Sequence, residues 1–311
     1  VLDVQTLNID SASFHQIVEQ VGRDEGAVAQ RIQEIVAERG KMQNPVTGSG
    51  GMLLGIVCAM GPEYSGPVPV AVGDRIATLV SLTLTPLHLS QIHRVHLGAD
   101  QVDVTGRAYL WPSSPLVVMP SDSDIPERVA LSALDVCGAP AQTARLVRGA
   151  ERVLVLGMGK SGMLCAAAAR DVLGEDARIY AFDRDDTNIS ALEDAGLVDA
   201  HRLGDARDAS GVLGAVLSMT GGHRVDVVIN TVNIAGAEMS AILPCRERGK
   251  VYFFNMATSF ARAALGSEGV GYDVDLFIGN GYAVGHAEGT LGLVRRYPVV
   301  RARLEEITGS G

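Results

Sequence analysis

Three glycines, Gly157, Gly159 and Gly162, follow an apolar run at residues 153–156 with the spacing GxGxxG, and Lys160 and Ser161 stand between the last two. An apolar run without alternation reads as a strand covered on both faces. The glycines then have separate tasks: the first allows a tight turn, the second lets a pyrophosphate approach the backbone, and the third lets the following helix pack close to the strand. A helix that begins near Lys160 offers N–H groups and a partial positive charge to an anion. The chemistry this spacing predicts is dinucleotide binding. Asp183, 21 positions after Gly162, ends the next strand pattern, where a carboxylate accepts hydrogen bonds from both adenosine ribose hydroxyls. That favours NAD, while the neighbouring Arg184 would tolerate a 2′-phosphate and keeps NADP as the weaker alternative. Asn230 and Asn233 follow a later strand, and Asn255 with Ser259 and Phe260 follows the one after it. Open α/β sheets hold their ligands on that side, so these residues are candidates to meet the nicotinamide, its ribose or a substrate carboxylate.

Such a site needs a parallel sheet behind it. Beyond the glycines, helical and strand patterns alternate: helix 161–173, strand 178–182, helix 187–195, a strand near Ala200, helix 208–219, strand 225–230, helix 237–243, and strands 250–255 and 274–278. This alternation predicts a doubly wound parallel sheet. The first ~120 residues have another texture. Residues 1–8 alternate as a strand, 10–13 read as a short polar turn, and 24–39 as a helix with Ala27, Val28, Ile32, Ile35 and Val36 on one side and Gly40 to end it. A loop at 44–51, a strand at 52–58, a loop at 61–72, a turn and strand within 72–80, and strands near Val102 and Val117 follow. Together they predict a mainly β unit, a partly open barrel. Residues 124–149 are helix-forming, and the tail 280–311 opens as a glycine-rich loop, closes with a helix, and is expected to return to the β unit.

The length of 311 residues suits two domains, and 20% charged with 47% apolar residues is the composition of an ordinary soluble protein. A net charge of −10 argues against a nucleic-acid partner and fits a cationic small substrate only weakly. No apolar run approaches the length of a membrane span. Cys58, Cys137, Cys165 and Cys245 lie far apart with no CxxC pair, which suits reduced thiols and a cytoplasmic location. The chain opens inside a strand pattern, so residues upstream of Val1 are expected.

The order of these segments resembles the medium-chain dehydrogenase/reductase superfamily, in which a GroES-like β domain precedes a Rossmann domain. The matching pieces are residues 1–10, the glycine-rich stretch before Met52, Val72-Gly-Asp-Arg75, and the alanine-rich helix at the glycine turn. The resemblance implies an α/β fold, a GroES-like β-barrel domain plus a Rossmann doubly wound parallel sheet, with 1–135 and 280–311 forming the first and 136–279 the NAD-binding domain. Zinc-dependent alcohol dehydrogenases of this superfamily take ligands from three places. Here Asn8 and Gly50-Gly51 stand at the first two, and only Cys137 remains near the third. One soft ligand cannot hold a catalytic zinc, which needs about three protein donors, and the closely spaced cysteines of a structural zinc are missing, so no metal is expected.

Longer strings resemble, within that superfamily, the L-erythro-3,5-diaminohexanoate dehydrogenase family of bacterial lysine fermentation. They are Leu7-Asn-Ile-Asp-Ser-Ala-Ser-Phe14, Glu38-Arg-Gly-Lys-Met42, Asn44-Pro-Val-Thr-Gly-Ser-Gly-Gly-Met52, Leu134-Asp-Val-Cys-Gly-Ala-Pro-Ala141, Phe253-Phe-Asn-Met-Ala-Thr-Ser-Phe260, Gly279-Asn-Gly-Tyr282 and Gly285-His-Ala-Glu288. This resemblance implies NAD-dependent oxidative deamination at C3, giving 5-amino-3-oxohexanoate and ammonia, and a small cationic diamino-acid substrate. Such a reaction requires an ammonium to lose a proton, and a second ammonium and a carboxylate to be held. Asp135, Glu238, His286 and Glu288 are the candidate catalytic residues, with Asp10 as a further acid. In this reading Glu288 or Asp135 anchors or deprotonates an ammonium and His286 shuttles a proton. Cys137 is read as a buried small residue beside the cofactor, and His93 and His96 as solvated. A homodimer is expected. Two other readings stay open: a zinc-independent NAD(P)-dependent alcohol or quinone reductase, and a non-catalytic nucleotide-binding relative.

Overall fold

The computed structural model describes residues 1–120 and 122–310. The chain separates into two compact units, Val1–Asp135 with the chain from Glu305 onward, and Val136–Leu304.

In the first unit β1 (Leu2–Asn8) leads into α1 (Ser11–Val21) and α2 (Glu25–Arg39), followed by β2 (Met52–Val57), β3 (Arg75–Thr78), β4 (Leu87–His96), β5 (Gln101–Ala108), β6 (Leu116–Val118) and α3 (Glu127–Asp135). The six strands form one sheet in the order β4-β5-β1-β2-β3-β6, antiparallel at every ladder, and β4 and β6 are its two open edges. Residues 10–13 were expected to be a polar turn and are instead the start of α1. The Asp10 carboxylate accepts the Ser13 amide at 3.0 Å as an N-cap, and Phe14 and Ile17 bury fully on the sheet, each worth about 2 kcal/mol of transferred apolar surface. The stretch around His93 and His96 is also not simply solvated polar chain. It forms β4, where Leu87, Leu89 and Val95 turn into the core, and His96 pairs with Asp103 at 2.7 Å while Arg128 reaches the same carboxylate at 3.0 Å. Burial would raise the pKa of Asp103, but the bonds and charges of His96 and Arg128 outweigh it and hold the carboxyl below its ordinary value.

The second unit begins with α4 (Gly138–Leu146) and β7 (Arg152–Leu156), then α5 (Lys160–Leu173), β8 (Arg178–Asp183), α6 (Ile189–Asp194), β9 (Ala200–Leu203), α7 (Ala209–Thr220), β10 (Val225–Asn230), α8 (Glu238–Ile242), β11 (Cys245–Phe253), α9 (Phe260–Val270), β12 (Asp275–Ile278), α10 (His286–Arg296) and the part of α11 (Pro298–Thr308) that precedes Glu305. Its sheet is parallel throughout, in the order β12-β11-β10-β7-β8-β9. Read from the other edge, that is the strand order 3-2-1-4-5-6 of a Rossmann fold, with the reversal between β7 and β10. Val153, Leu154, Val155 and Leu156 are completely buried, as the unbroken apolar run required. The tail divides otherwise than expected. Residues 280–304 belong to the second unit, because Gln142 of α4 donates to the Asn280 carbonyl at 2.7 Å and α10 packs on α4 and α5; only the chain from Glu305 joins the first unit. The helix α9 has no counterpart in the sequence reading. Among the described residues no helix is long and apolar enough to cross a membrane.

Candidate functional site

The glycine turn sits at the C-terminal end of β7, where the sheet reverses. Gly157 adopts φ +86° and donates its amide to the Phe182 carbonyl of β8 at 2.8 Å. A Cβ there would stand 2.9 Å from a Val232 methyl group and 3.0 Å from the Thr231 hydroxyl. At Gly162 a Cβ would overlap the carbonyl oxygen of Gly157, so α5 packs as close as two backbones can. Gly159 differs from both. Its φ of −69° suits any residue and a Cβ would touch nothing within 4 Å, so its own chain makes no demand for glycine there. Gly159 is also the N-cap of α5, and no side chain caps that helix start. An open, uncapped N-terminus with space above it is the cradle that a pyrophosphate fills, and Lys160 and Ser161 form the first turn, both half-buried.

The carboxylate of Asp183 closes the turn from the neighbouring strand. One oxygen accepts the Met158 amide at 2.5 Å and the other the Arg184 amide at 2.6 Å. Each carboxylate oxygen keeps a further lone pair for a ribose hydroxyl. Asn188 adds a second tie by donating to the Met158 carbonyl at 2.8 Å, and Arg303 donates to the Asn188 oxygen at 3.0 Å. Arg184 is exposed. Arg207, helped by Arg184, holds the nearby Asp205 carboxyl down at about 2.

Across the reversal, Thr231 shares its hydroxyl proton between the carbonyls of Leu156 and Gly157, at 3.0 and 2.9 Å. It therefore fixes the glycine turn from β10, a part that the sequence reading passed over in favour of its asparagine neighbours. Asn230 is buried and its side-chain oxygen accepts the Val232 amide at 3.0 Å. Asn255 accepts the Thr258 hydroxyl at 2.9 Å, and Asn233 is exposed. Glu238, only 3% exposed, accepts the Ser259 amide at 2.8 Å. The carboxylate thereby links the loop after β10 to the loop after β11, and Ser259 in turn caps α9.

His286 opens α10 and is 3% exposed; the edge of its ring meets Tyr282, centroids 5.0 Å apart, and its Nε2 is buried without a hydrogen-bond partner. Burial pushes the imidazole pKa below the ordinary histidine value, and the charge of Glu288 offsets only part of this. Glu288 is exposed in the first turn of α10. Cys137 is buried, and the Thr290 hydroxyl donates to its carbonyl at 3.4 Å. Asp135 ends α3 as the last residue of the first unit, half-buried. Beside the 280–284 loop lies a cavity of about 450 Å³, lined by Gln142, Arg145, Arg148, Tyr282 and Val284 among others. Cys165 and Cys245 are pushed up to about 12 by burial, which leaves both thiols inert at neutral pH.

In the first unit, Asp10 caps α1 and accepts the Ser49 hydroxyl at 3.0 Å through one carboxylate oxygen, while its Oδ2 is buried without a hydrogen-bond partner. Ser13 bonds Thr47 and Ser49 at 2.7 and 2.8 Å, and Asn44 accepts the Val46 amide while donating to Ser13 and Gln16. Asn8 accepts Gln101 at 3.0 Å. Among the described residues no three His, Cys, Asp or Glu side chains gather as a metal site would require.

An antiparallel GroES-like unit and a Rossmann sheet with this turn are the fold of a two-domain dehydrogenase that takes a nicotinamide cofactor. Solved structures similar to the chain include AibC (TM-score 0.58, 18% identity, covering 96% of this chain and 80% of that one) and an alcohol dehydrogenase from Thermotoga maritima (0.58, 12%, 97% and 83%). A mycobacterial protein complexed with NADPH is also similar (0.56, 14%, 99% and 87%). These likenesses concern the fold. The particular family follows from the sequence itself. Residues 1–120 match the L-erythro-3,5-diaminohexanoate dehydrogenase N-terminal domain. Proteins named L-erythro-3,5-diaminohexanoate dehydrogenase from Acetoanaerobium sticklandii and Fusobacterium nucleatum are each 48% identical over 98% of this chain, which spans 89% and 88% of their lengths. The chain belongs to the L-erythro-3,5-diaminohexanoate dehydrogenase family.

Proposed function

We propose that the chain catalyses NAD-dependent oxidative deamination of L-erythro-3,5-diaminohexanoate to 5-amino-3-oxohexanoate and ammonia, as a zinc-free, cytoplasmic homodimer. The observation that carries the substrate is identity of 48% over nearly the full length with two relatives of that name. The choice of NAD over NADP rests on Asp183, whose carboxylate would face an added 2′-phosphate with like charge. The zinc-free reading rests on Asn8, bonded to Gln101, and on Gly50 and Gly51, which have no ligand side chain.

A nicotinamide cofactor held by the Gly157–Gly162 turn and Asp183 would supply the hydride acceptor for C3, and water would supply the oxygen that replaces the departing ammonia. The protein's part is to hold two ammonium groups and a carboxylate and to manage protons. His286, kept neutral at pH 7 by burial and with Nε2 unspent, accepts a proton from the reacting ammonium and returns one later. Glu288 or Asp135 anchors an ammonium. Glu238 positions the loop after β11 through the Ser259 amide.

The test is NADH formation with the diamino acid beside simple alcohols and β-amino acids, with ammonia measured. One ammonia per NADH on the diamino acid is expected. Turnover of alcohols or quinones without ammonia would point to a reductase instead, and NAD binding without turnover to a non-catalytic relative. His286→Gln should lower kcat at least about tenfold. Because the pKa of His286 lies below the ordinary value, the acid limb of the wild-type kcat profile should fall below about pH 6.5, and the variant should lose it. Near-normal turnover in Glu288→Gln and Asp135→Asn alike would remove both acids from the reaction.

A further inference from the structure

Among the described residues of the first unit, Asn8 Nδ2, Asp10 Oδ2 and the Ser132 hydroxyl are buried without a hydrogen-bond partner. Asn8 and Ser132 are fully buried as whole residues. A polar group left unpaired in such a place destabilises the fold unless something else uses it. Leu7 and Ile9 turn into the core, and the Ile9 amide carries the β1 ladder one step further to the Asp100 carbonyl. Alternation along the strand then sends Asn8 and Asp10 out together on the opposite face, about 7 Å apart. Arg128 and Ser132 stand one turn apart on one side of α3, and the Arg128 carbonyl accepts, at 3.0 Å, the same Gln101 nitrogen that reaches Asn8.

The polarity of the Asn8 amide is set from a distance. A guanidinium only donates, so Arg128, held by the two Asp103 oxygens at 3.0 and 3.1 Å, has to meet the oxygen of Gln101, as it does at 3.1 Å. The Gln101 nitrogen is left to donate to Asn8 Oδ1 at 3.0 Å. Asn8 Nδ2 is the end that remains, with nothing to donate to. Asp10 is divided in the same manner. Its Oδ1 takes the Ser13 amide and the Ser49 hydroxyl, each at 3.0 Å, and its Oδ2 takes nothing. One donor and one acceptor therefore stand on one face, each held in place by the other end of its own side chain.

We infer that this pair is the subsite in the first unit for the β-amino acid half of the substrate. Asn8 Nδ2 donates to a carboxylate oxygen, and Asp10 Oδ2 accepts an N–H of the C3 ammonium. A donor and an acceptor at this spacing match a molecule whose carboxylate and ammonium-bearing carbon are joined by one methylene. Neither a simple alcohol nor a quinone brings both groups. Gln101 is a positioning residue, because it sets which end of the Asn8 amide faces the ligand without touching the ligand itself. The assignment rests on the proposed substrate and names the atoms that recognise it.

Calorimetry of 3,5-diaminohexanoate with the NADH-saturated protein, in which no turnover occurs, tests the subsite apart from the reaction. Asp10→Asn keeps a helix cap and Asn8→Asp keeps the acceptor for Gln101, yet each should weaken binding at least about tenfold, with NADH affinity unchanged. Gln101→Glu should do the same, since a second acceptor there turns the Asn8 amide over. The carboxamide of the diamino acid should bind the wild type at least about tenfold more weakly than the acid does. Asn8→Asp should abolish or reverse that preference, which a general loosening of the fold does not do. A wild type that fails to bind the diamino acid, unaltered affinity in Asp10→Asn and Asn8→Asp, or an unchanged acid-to-carboxamide ratio in Asn8→Asp would each overturn the inference. Binding lost in the variants beside a wild type that releases no ammonia would uphold the subsite and remove the proposed reaction.

Discussion

Two glycine-rich loops adjoin strands in this chain, one after β7 and one before β2, and they end with opposite fates. In the second unit, the turn at residues 157–162 leaves Gly159 open and the start of α5 uncapped. In the first unit, the loop at residues 44–51 spends everything on itself. Asn44 makes bonds to both sides, Ser13, Thr47 and Ser49 bond one another, and Asp10 caps the helix they surround. Its glycines are required by the chain: a Cβ at Gly50 would overlap the Met42 carbonyl, and one at Gly51, φ +95°, the Asn8 carbonyl. Composition alone does not separate the two. A loop becomes a binding site where donors and space are left over after the fold is satisfied.

Substitutions that respect or violate this contrast should break it or sharpen it. The largest effects are expected where backbone meets backbone. Gly162→Val and Gly51→Val should each cost about 3 kcal/mol or more of stability, read as the denaturation midpoint, and only the first should also abolish NAD binding in the protein that remains folded. Next is Asp183→Ala, which removes the acceptor for the Met158 and Arg184 amides and, on the proposed reading, the ribose contact; NAD affinity by calorimetry should fall about 10- to 100-fold. Asn44→Ala should lose about 1–3 kcal/mol by leaving buried partners unsatisfied, with NAD affinity unaltered. Smallest is Gly159→Ala. The thermal midpoint should not move, because the site is open and φ is ordinary, while NAD affinity drops about tenfold as the methyl group meets the pyrophosphate. An equal loss of NAD affinity in Asn44→Ala and Gly159→Ala would erase the distinction between the loops.

The strand, turn and helix around Gly157 were legible because each residue type there answers a backbone demand, and Asp183 because its position follows from the strand's end. The parallel direction of the second sheet followed from the alternation of helix and strand patterns, while its register came only with the structure. Less was legible where one residue serves two masters. Ser11 and Ser13 read as a turn, although Asp10 with Phe14, Ile17, Val18 and Val21 carries a cap and a helical stripe. The histidines of β4 hid its alternation, since a charged look on the outward face says nothing of the leucines between. Glu238 shows the converse limit: sequence supplies an acid at a suitable strand end, and only the fold reveals that a backbone amide already occupies it. The role of Thr231 was hidden for the same reason, because its partners are carbonyls of β7 and the glycine turn, far away in sequence.

The double engagement of Asp183 has a consequence for redesign. The carboxylate that would discriminate between the two nicotinamide cofactors is also a strut of the phosphate turn. Cofactor preference and turn shape are therefore inherited together, and exchanging this acid for a neutral side chain would loosen the platform on which the new cofactor has to sit. A variant selected for the phosphorylated cofactor would need a second substitution that supplies an acceptor to the Met158 amide, so the two preferences are separated by a path of at least two steps.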